Sequence, residues 1–147
     1  MFMSTVRTDM ETKESNADFG KLVSEALKEL EFEAEIEPDV TGPRPDIVAR
    51  SGDKIVVIEC KIGDPSATIP SVSLPQVIDY GRAIKSKYGQ KKVSTIVMTN
   101  QKVPPKLKEM FSANGVVISS VSSFDVSEIK GVIRDSLKQA GGKVDAG

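Results

Sequence analysis

Acidic and basic residues that could bind a metal ion are grouped in the middle of the chain. Asp46 follows a proline, and Glu59 and Lys61 come thirteen and fifteen positions later, at the end of an apolar run. Glu59 and Lys61 share one face of the predicted strand, because side chains alternate between the two faces of a strand. A buried carboxylate and a buried ammonium each need a partner, since desolvating either alone is costly. A third group or a metal is therefore expected beside them.

A predicted β-hairpin brings the two carboxylates together. Two apolar segments, 46 to 50 and 54 to 62, are joined by Ser-Gly-Asp, which favours a turn. Folding at this turn places Asp46 near Glu59. Two carboxylates with backbone carbonyls alongside form a site of hard oxygen ligands, which suits Mg²⁺ or Mn²⁺. Lys61 would then face the attacking water, an arrangement typical of phosphodiester hydrolysis.

The same residues resemble a known motif. Pro45-Asp46 followed by Glu59-Cys60-Lys61 resembles the PD-(D/E)xK motif of the restriction-endonuclease-like nuclease superfamily, and the resemblance covers about residues 18 to 100. It implies that Asp46 and Glu59 hold a divalent metal, that the Cys60 backbone carbonyl is a further ligand, and that Lys61 is catalytic. It also implies an α/β fold with an αβββαβ core, in which helices flank a central mixed sheet.

Gln76 and Tyr80 carry a second resemblance, to the QxxxY motif of RecB-like nucleases. Their spacing places both on one face of a predicted helix. The resemblance implies that Gln76 assists catalysis and that Tyr80 supports the site or contacts nucleic acid. Archaeal resolvase and Mrr-like members place a further glutamate on the first helix, and Glu25 is the nearest counterpart. The alternative is that Glu25 is a solvated residue and that Asp46 and Glu59 alone bind one metal.

Nine segments are predicted to position these residues. They form a single domain over residues 18 to 140, between a disordered tail at 1 to 17 and a flexible tail at 141 to 147. The loop from 63 to 73 is expected either to border the substrate groove or to be an ordinary long connection. The helices are predicted at 18–31, 74–88, 104–113 and 125–139, and the strands at 32–37, 46–50, 54–62, 92–99 and 115–119.

Composition excludes several classes of site. The 147 residues include one cysteine and no histidine, so an intrachain disulfide, the usual zinc sites and an imidazole base are excluded. No segment approaches the roughly 18 apolar residues that a membrane helix needs, and the N-terminus lacks the apolar core of a signal peptide. We therefore expect a cytoplasmic protein without membrane contact.

Charge is distributed unevenly, although the net charge is only −1. Residues 1 to 39 hold eleven acids and four bases, whereas residues 79 to 110 hold eight bases and two acids. A basic segment beside a carboxylate site would attract a phosphate backbone. The alternative for each lysine is an ordinary solvated helix face. The residues expected to contact nucleic acid are Tyr80, Arg82, Lys85, Lys87 and Lys92.

The sequence thus favours a Mg²⁺- or Mn²⁺-dependent nuclease that acts on DNA, in repair, recombination or restriction. A homodimer is expected, because small resolvases and restriction enzymes address two strands in this way. The alternative is a catalytically inactive protein of the same fold that binds nucleic acid or a partner within a larger complex.

Overall fold

The computed structural model describes the backbone of residues 8–36, 46–69, 73–89 and 92–146, and the side chains within 18–35, 46–69, 75–89 and 92–139. All nine predicted segments are present. The elements are α1 (Thr8–Glu29), β1 (Glu33–Ile36), β2 (Ile47–Ser51), β3 (Lys54–Lys61), α2 (Ser73–Tyr88), β4 (Lys92–Thr99), α3 (Pro105–Ala113), β5 (Val116–Ser120) and α4 (Val126–Ala146).

The five strands form one mixed sheet in the order β1-β2-β3-β4-β5. The first three strands pair antiparallel, and β3, β4 and β5 pair parallel. The predicted hairpin turn joins β2 to β3, where Gly52 adopts a φ of 60° that a residue with a side chain would find strained. Parallel neighbours need a crossover, which α2 and α3 provide. The predicted α/β class with an αβββαβ core and a mixed sheet is confirmed.

Helices cover both faces of the sheet. One apolar cluster joins α1 and α4 to the sheet face that carries Val56, Ile58 and Cys60. Two smaller clusters join α2 and α3 to the other face, which carries Ile55 and Val57. The predicted alternation along β3 is therefore confirmed.

Two helices are longer than predicted. The backbone of α1 begins at Thr8 rather than near residue 18, and α4 continues to Ala146 rather than ending near 139. Residues 8 to 17 lack an apolar period, but their glutamates, lysine and alanine favour a helix, and acids near its start complement the dipole. The disorder of both tails stays a prediction. Pro104 and Pro105 open α3, and at the start of α4 the Asp125 carboxylate accepts the Glu128 N–H at 3.2 Å.

Across the part of the chain with described coordinates, no helix is both long enough and apolar enough to cross a membrane.

Candidate metal centre and active site

The hairpin register places Asp46 beside Glu59. Ile47 pairs with Ile58, so the residue before Ile47 lies next to the residue after Ile58. The Cys60 backbone N–H donates to Asp46 Oδ2 at 2.8 Å, which fixes the orientation of that carboxylate. The two acids that the sequence predicts as metal ligands are thus brought together by strand pairing.

Glu59 is a buried carboxylate with an incomplete set of partners. Only 6% of the residue is exposed, and its Oε2 lies 3.2 Å from Lys61 Nζ. Among the described residues, no donor reaches the buried Oε1. Burial first, and the adjacent Asp46 charge second, raise the pKa of Glu59 to about 7, although Lys61 acts in the opposite direction. A cation between Asp46 and Glu59 would stabilise the ionised Glu59 carboxylate against both the cost of burial and the repulsion by Asp46.

Cys60 contributes to this site through its backbone. Its side chain points to the opposite sheet face and packs in the α1/α4 cluster. Burial raises the pKa of the Cys60 thiol well above its usual value, so the thiol stays protonated. The N–H and C=O of a strand residue point to the same side. The Cys60 carbonyl therefore lies on the side of β3 where its N–H meets Asp46.

Lys61 connects the buried carboxylate to solvent. Its side chain is 33% exposed, whereas the Glu59 side chain is 7% exposed. The ammonium therefore lies at the rim of the site, next to the carboxylate that needs a charge partner. A lysine in this position can approach a bound anion.

Tyr80 lies close to the carboxylates, within the packed interior. It is 8% exposed and packs with Val48, Val57 and Ile84. Burial first, and then the charges of Glu59 and Asp46, raise its pKa. Tyr80 thus lines the inside of the site.

Gln76 lies one helical turn before Tyr80, on the same side of α2, and is exposed. The structure therefore places the Gln76 side chain at the surface near the carboxylate end of the sheet.

Glu25 is not brought to the site. It is exposed on α1, and α1 packs against the sheet face opposite to Glu59. Within the described ranges, no three acidic, histidine or cysteine residues form a group that could hold a metal. The carboxylate pair of Asp46 and Glu59 is what the described residues offer to a metal.

The basic residues predicted to contact nucleic acid are exposed but lie in different places. Arg82, Lys85 and Lys87 project from α2. Lys92 begins β4 and is paired in register with Lys54, at the end of the strands remote from Lys61. Of these residues, Lys87 contacts the Tyr88 ring.

Asn100 is a residue at this site that the sequence patterns did not identify. Its Nδ2 donates to the Gly63 carbonyl, and its Oδ1 accepts the Gly63 N–H, both at 3.0 Å. The Gln101 side chain packs against Gly63, and its Nε2 lies 2.7 Å from the position that a Cβ would occupy there. These contacts hold the chain just after Lys61. The parallel pairing of Lys61 with Thr99 places Asn100 beside this loop, and local sequence patterns do not specify that register.

The loop after β3 has a fixed course up to residue 69. Backbone hydrogen bonds join Ala67 and Ile69 to Lys102, and Thr68 forms a bridge with the same residue. Ile69 is buried against Val97 and Leu107. The loop thus forms a defined wall after Lys61.

No family model matches the chain, and no curated protein matches it. Solved structures do. AF1548, a protein of unknown function, is 20% identical with a TM-score of 0.60, over 78% of this chain and 65% of its own. Can2 from Sulfobacillus thermosulfidooxidans, solved with cyclic tetra-adenylate, is 15% identical with a TM-score of 0.56, over 82% and 36%. The MspJI restriction endonuclease, solved with a 27-mer oligonucleotide, is 13% identical with a TM-score of 0.50, over 99% and 33%.

These similarities define the class of fold. The chain has a restriction-endonuclease-like α/β fold, with a mixed five-stranded sheet between helices. It spans 65% of AF1548 and about a third of Can2 and MspJI.

Proposed function

We propose that this protein is a Mg²⁺- or Mn²⁺-dependent nuclease that hydrolyses phosphodiester bonds in DNA. The observation that carries the proposal is the group at the end of β3, where Asp46, Glu59 and Lys61 meet and Glu59 Oε1 is buried without a donor among the described residues. Such an arrangement costs stability unless a cation completes it.

The residues present fit a divalent cation. Asp46 and Glu59 would hold it through carboxylate oxygens, with the Cys60 carbonyl as a third protein ligand. When bound, such an ion supplies Lewis-acid polarisation of a phosphoryl oxygen and a lowered pKa for water.

The protein's own groups have distinct tasks. The Cys60 N–H holds the Asp46 carboxylate in orientation, at 2.8 Å. Glu59 must be ionised to bind a cation, and Lys61 at 3.2 Å favours the ionised form. The Lys61 ammonium, at the rim, would orient the attacking water and stabilise negative charge that develops on the phosphate. Gln76, exposed on the same side as Tyr80, would contact the substrate near the scissile bond.

Two further points support DNA as the substrate. MspJI, whose fold aligns with 99% of this chain, was solved with an oligonucleotide. The α2 helix carries three exposed cations, Arg82, Lys85 and Lys87, of which Lys87 lies on the site face. We propose a homodimer that acts in the cytoplasm, because one site per chain addresses one strand and a two-fold axis supplies the second. Light scattering with and without duplex DNA tests this assembly.

A second candidate is an inactive protein of this fold that binds nucleic acid without cutting it. The exposed position of Glu25, on the other side of the sheet, favours this candidate because the described residues leave the metal with two carboxylates.

Cleavage assays separate the two candidates. Labelled duplex, single-stranded and branched DNA and an RNA would be incubated with Mg²⁺, Mn²⁺ or chelator. We expect metal-dependent cutting of DNA that Lys61→Ala lowers by at least about 100-fold.

The matched control is Lys130→Ala. Lys130 forms an ion pair with Glu29 at 3.0 Å and is 30% exposed, close to the values for Lys61, but lies on α4. Equal activity of wild type and Lys61→Ala would contradict the nuclease proposal. DNA binding that survives chelation without any cleavage would favour the inactive candidate.

A further inference from the structure

Two cations beside the Tyr88 ring lie on the same face of the sheet as the Asp46 and Glu59 carboxylates. The Arg50 guanidinium carbon lies 5.7 Å from the centroid of the Tyr88 ring, and Lys87 Nζ lies 5.4 Å from the same centroid. Both distances are within the range of a cation–π contact. The Tyr88 ring thus has two cations beside it, one from β2 and one from α2.

Strand pairing shows which face this group occupies. Arg50 pairs with Ile55, which packs beneath α2 together with Val48 and Tyr80. Asp46 and Arg50 are four positions apart, so they project toward the same side of β2. The carboxylate site and the Tyr88 group therefore lie at two ends of one surface.

The distance between the carboxylate site and the Tyr88 group is similar along β2 and along α2. Four residues of strand separate Asp46 from Arg50 by about 13 Å. Eight residues of helix separate Tyr80, which is close to the carboxylates, from Tyr88 by about 12 Å. The surface between the sites is thus a track of roughly constant length along β2 and α2.

One side of α2 follows this track. Gln76, Tyr80 and Lys87 lie on this side, because Tyr80 and Lys87 follow Gln76 by four and eleven residues, which are about one and three helical turns. Lys85 belongs to the opposite side, because it lies two turns after Ile78, and Ile78 packs toward α3 and β5. Lys87 continues the track from Gln76, whereas Lys85 points away from it.

The chemistry of the group suits a phosphate. An arginine guanidinium donates two parallel hydrogen bonds to a phosphate, and a lysine adds a point charge. Two carboxylates of β1 lie on the same face as Arg50: Glu35 is 3.4 Å from it, and Glu33 pairs with it in register and is exposed. The Arg50 and Glu35 side chains are exposed at 40% and 57%, so their ion pair is weak. The ion pairs among the described side chains do not include Lys87. A phosphate can therefore replace Glu35 at low cost.

We propose that Arg50 and Lys87, held on the Tyr88 ring, bind the DNA backbone at a distance from the scissile phosphate. The inference rests on the proposed nuclease function for the identity of its ligand. Each strand of B-DNA rises about 3.4 Å per nucleotide along the helix axis and also turns around that axis, so a span of about 13 Å covers at most about four nucleotide steps. This subsite would set the length of substrate that binds tightly.

The test measures DNA binding in a background that does not cut. A labelled duplex is titrated with Lys61→Ala protein by fluorescence anisotropy, at several salt concentrations. We expect Arg50→Gln and Lys87→Gln each to weaken binding by roughly tenfold and to lower the salt slope by about one. Glu35→Gln should tighten binding, because it frees Arg50.

Control variants separate a defined site from diffuse charge. Lys130→Gln removes a cation that is also ion-paired, on the opposite side of the sheet, and should leave binding unchanged. Lys85→Gln should weaken binding less than Lys87→Gln. Equal losses at Lys85 and Lys87, or no loss at Arg50, would overturn the proposal. Thermal denaturation checks that each variant is folded.

Substrate length distinguishes this inference from the proposed function. The substrates are a series of duplexes that are shortened stepwise on one side of the cleavage position. Each is cut by wild-type protein and by the double variant. We expect KM to rise in one step when shortening removes the contacted phosphate, at most about four nucleotides from the cleavage position, and the Arg50→Gln, Lys87→Gln double variant to be insensitive to that shortening. If the wild type cuts DNA but shows no length step, the subsite is wrong and the nuclease proposal stands. If the wild type neither binds nor cuts DNA, both fail.

Discussion

The two faces of β3 carry different residues at the same end of the strand. On the face toward α1 and α4, Val56, Ile58 and Cys60 are buried in one apolar cluster. On the face toward α2, the apolar residues give way to Glu59 and Lys61. Alternation along one strand thus lets neighbouring residues stabilise the fold and form the candidate site. The packed face offsets the cost of placing charges on the other.

Two lysine–glutamate pairs show what distinguishes the site. Lys61–Glu59 and Lys130–Glu29 have similar distances, 3.2 and 3.0 Å, and their lysines are exposed to a similar degree. The glutamates differ, with 7% exposure for Glu59 and 54% for Glu29. An ion pair alone is therefore uninformative, and the buried carboxylate beside a second acid is the feature that supports the proposed metal site.

The largest expected effect comes from removing the ligands on the charged face. Asp46→Asn and Glu59→Gln should each lower Mg²⁺-dependent cleavage by at least about 100-fold, because a metal held by two carboxylates loses half of its charged ligands. Glu25→Gln should retain activity, since Glu25 is exposed on the helix behind the sheet. Cleavage rates at saturating enzyme measure both. Loss of activity in Glu25→Gln would contradict the proposed ligand set.

The next effect is on stability as a function of pH. The folded-state pKa of Glu59 is about 7, against an ordinary value of 4.5. The folded protein therefore binds more protons than the unfolded chain between these values, and its stability falls as pH rises through 7. Without metal, we expect a loss of about 3 kcal/mol between pH 4.5 and 8, measured by urea unfolding.

Variants at the two glutamates sharpen this pH comparison. Glu59→Gln should flatten the profile, whereas Glu29→Gln should leave it unchanged because Glu29 is exposed. Added Mg²⁺ should restore stability at high pH. A flat profile for the metal-free wild type would contradict the burial of an ionised Glu59.

A smaller effect is expected at Asn100. Asn100→Ala removes both hydrogen bonds to Gly63 and should lower the free energy of unfolding by about 2 kcal/mol. As a positioning residue for Lys61, Asn100 should also affect kcat more than KM. Asn114→Ala is the matched control, since Asn114 bonds Met110 at the end of α3, and should leave kcat unchanged. Equal changes in kcat at both positions would show that Asn100 has only a structural role.

The smallest effect belongs to the packed face. Cys60→Ala should lower stability by about 1 kcal/mol, without loss of metal-dependent cleavage, because only the Cys60 backbone contacts Asp46. The thiol should also resist alkylation in the folded protein, since its pKa is raised by burial. Rapid alkylation under native conditions would show that this face opens.

Local patterns predicted the segments and the hairpin because strand periodicity and turn residues are properties of neighbouring positions. Asp46 and Glu59 could be placed together for this reason, with a single turn between them. The role of Asn100 could not, because its contact with Gly63 depends on the parallel register of β3 and β4 across a crossover helix. Glu25 was assigned from family spacing, which does not fix the sheet face that a helix covers. The contacts of Arg50 with Tyr88 likewise depend on how α2 lies over β2.

The most direct test of the central claim is a calorimetric titration of metal-free protein with Mn²⁺. We expect saturable binding to the wild type, a large loss of affinity in Glu59→Gln, and wild-type affinity in Glu29→Gln. Equal binding by Glu59→Gln and wild type, or no binding to the wild type, would contradict a metal centre at the end of β3.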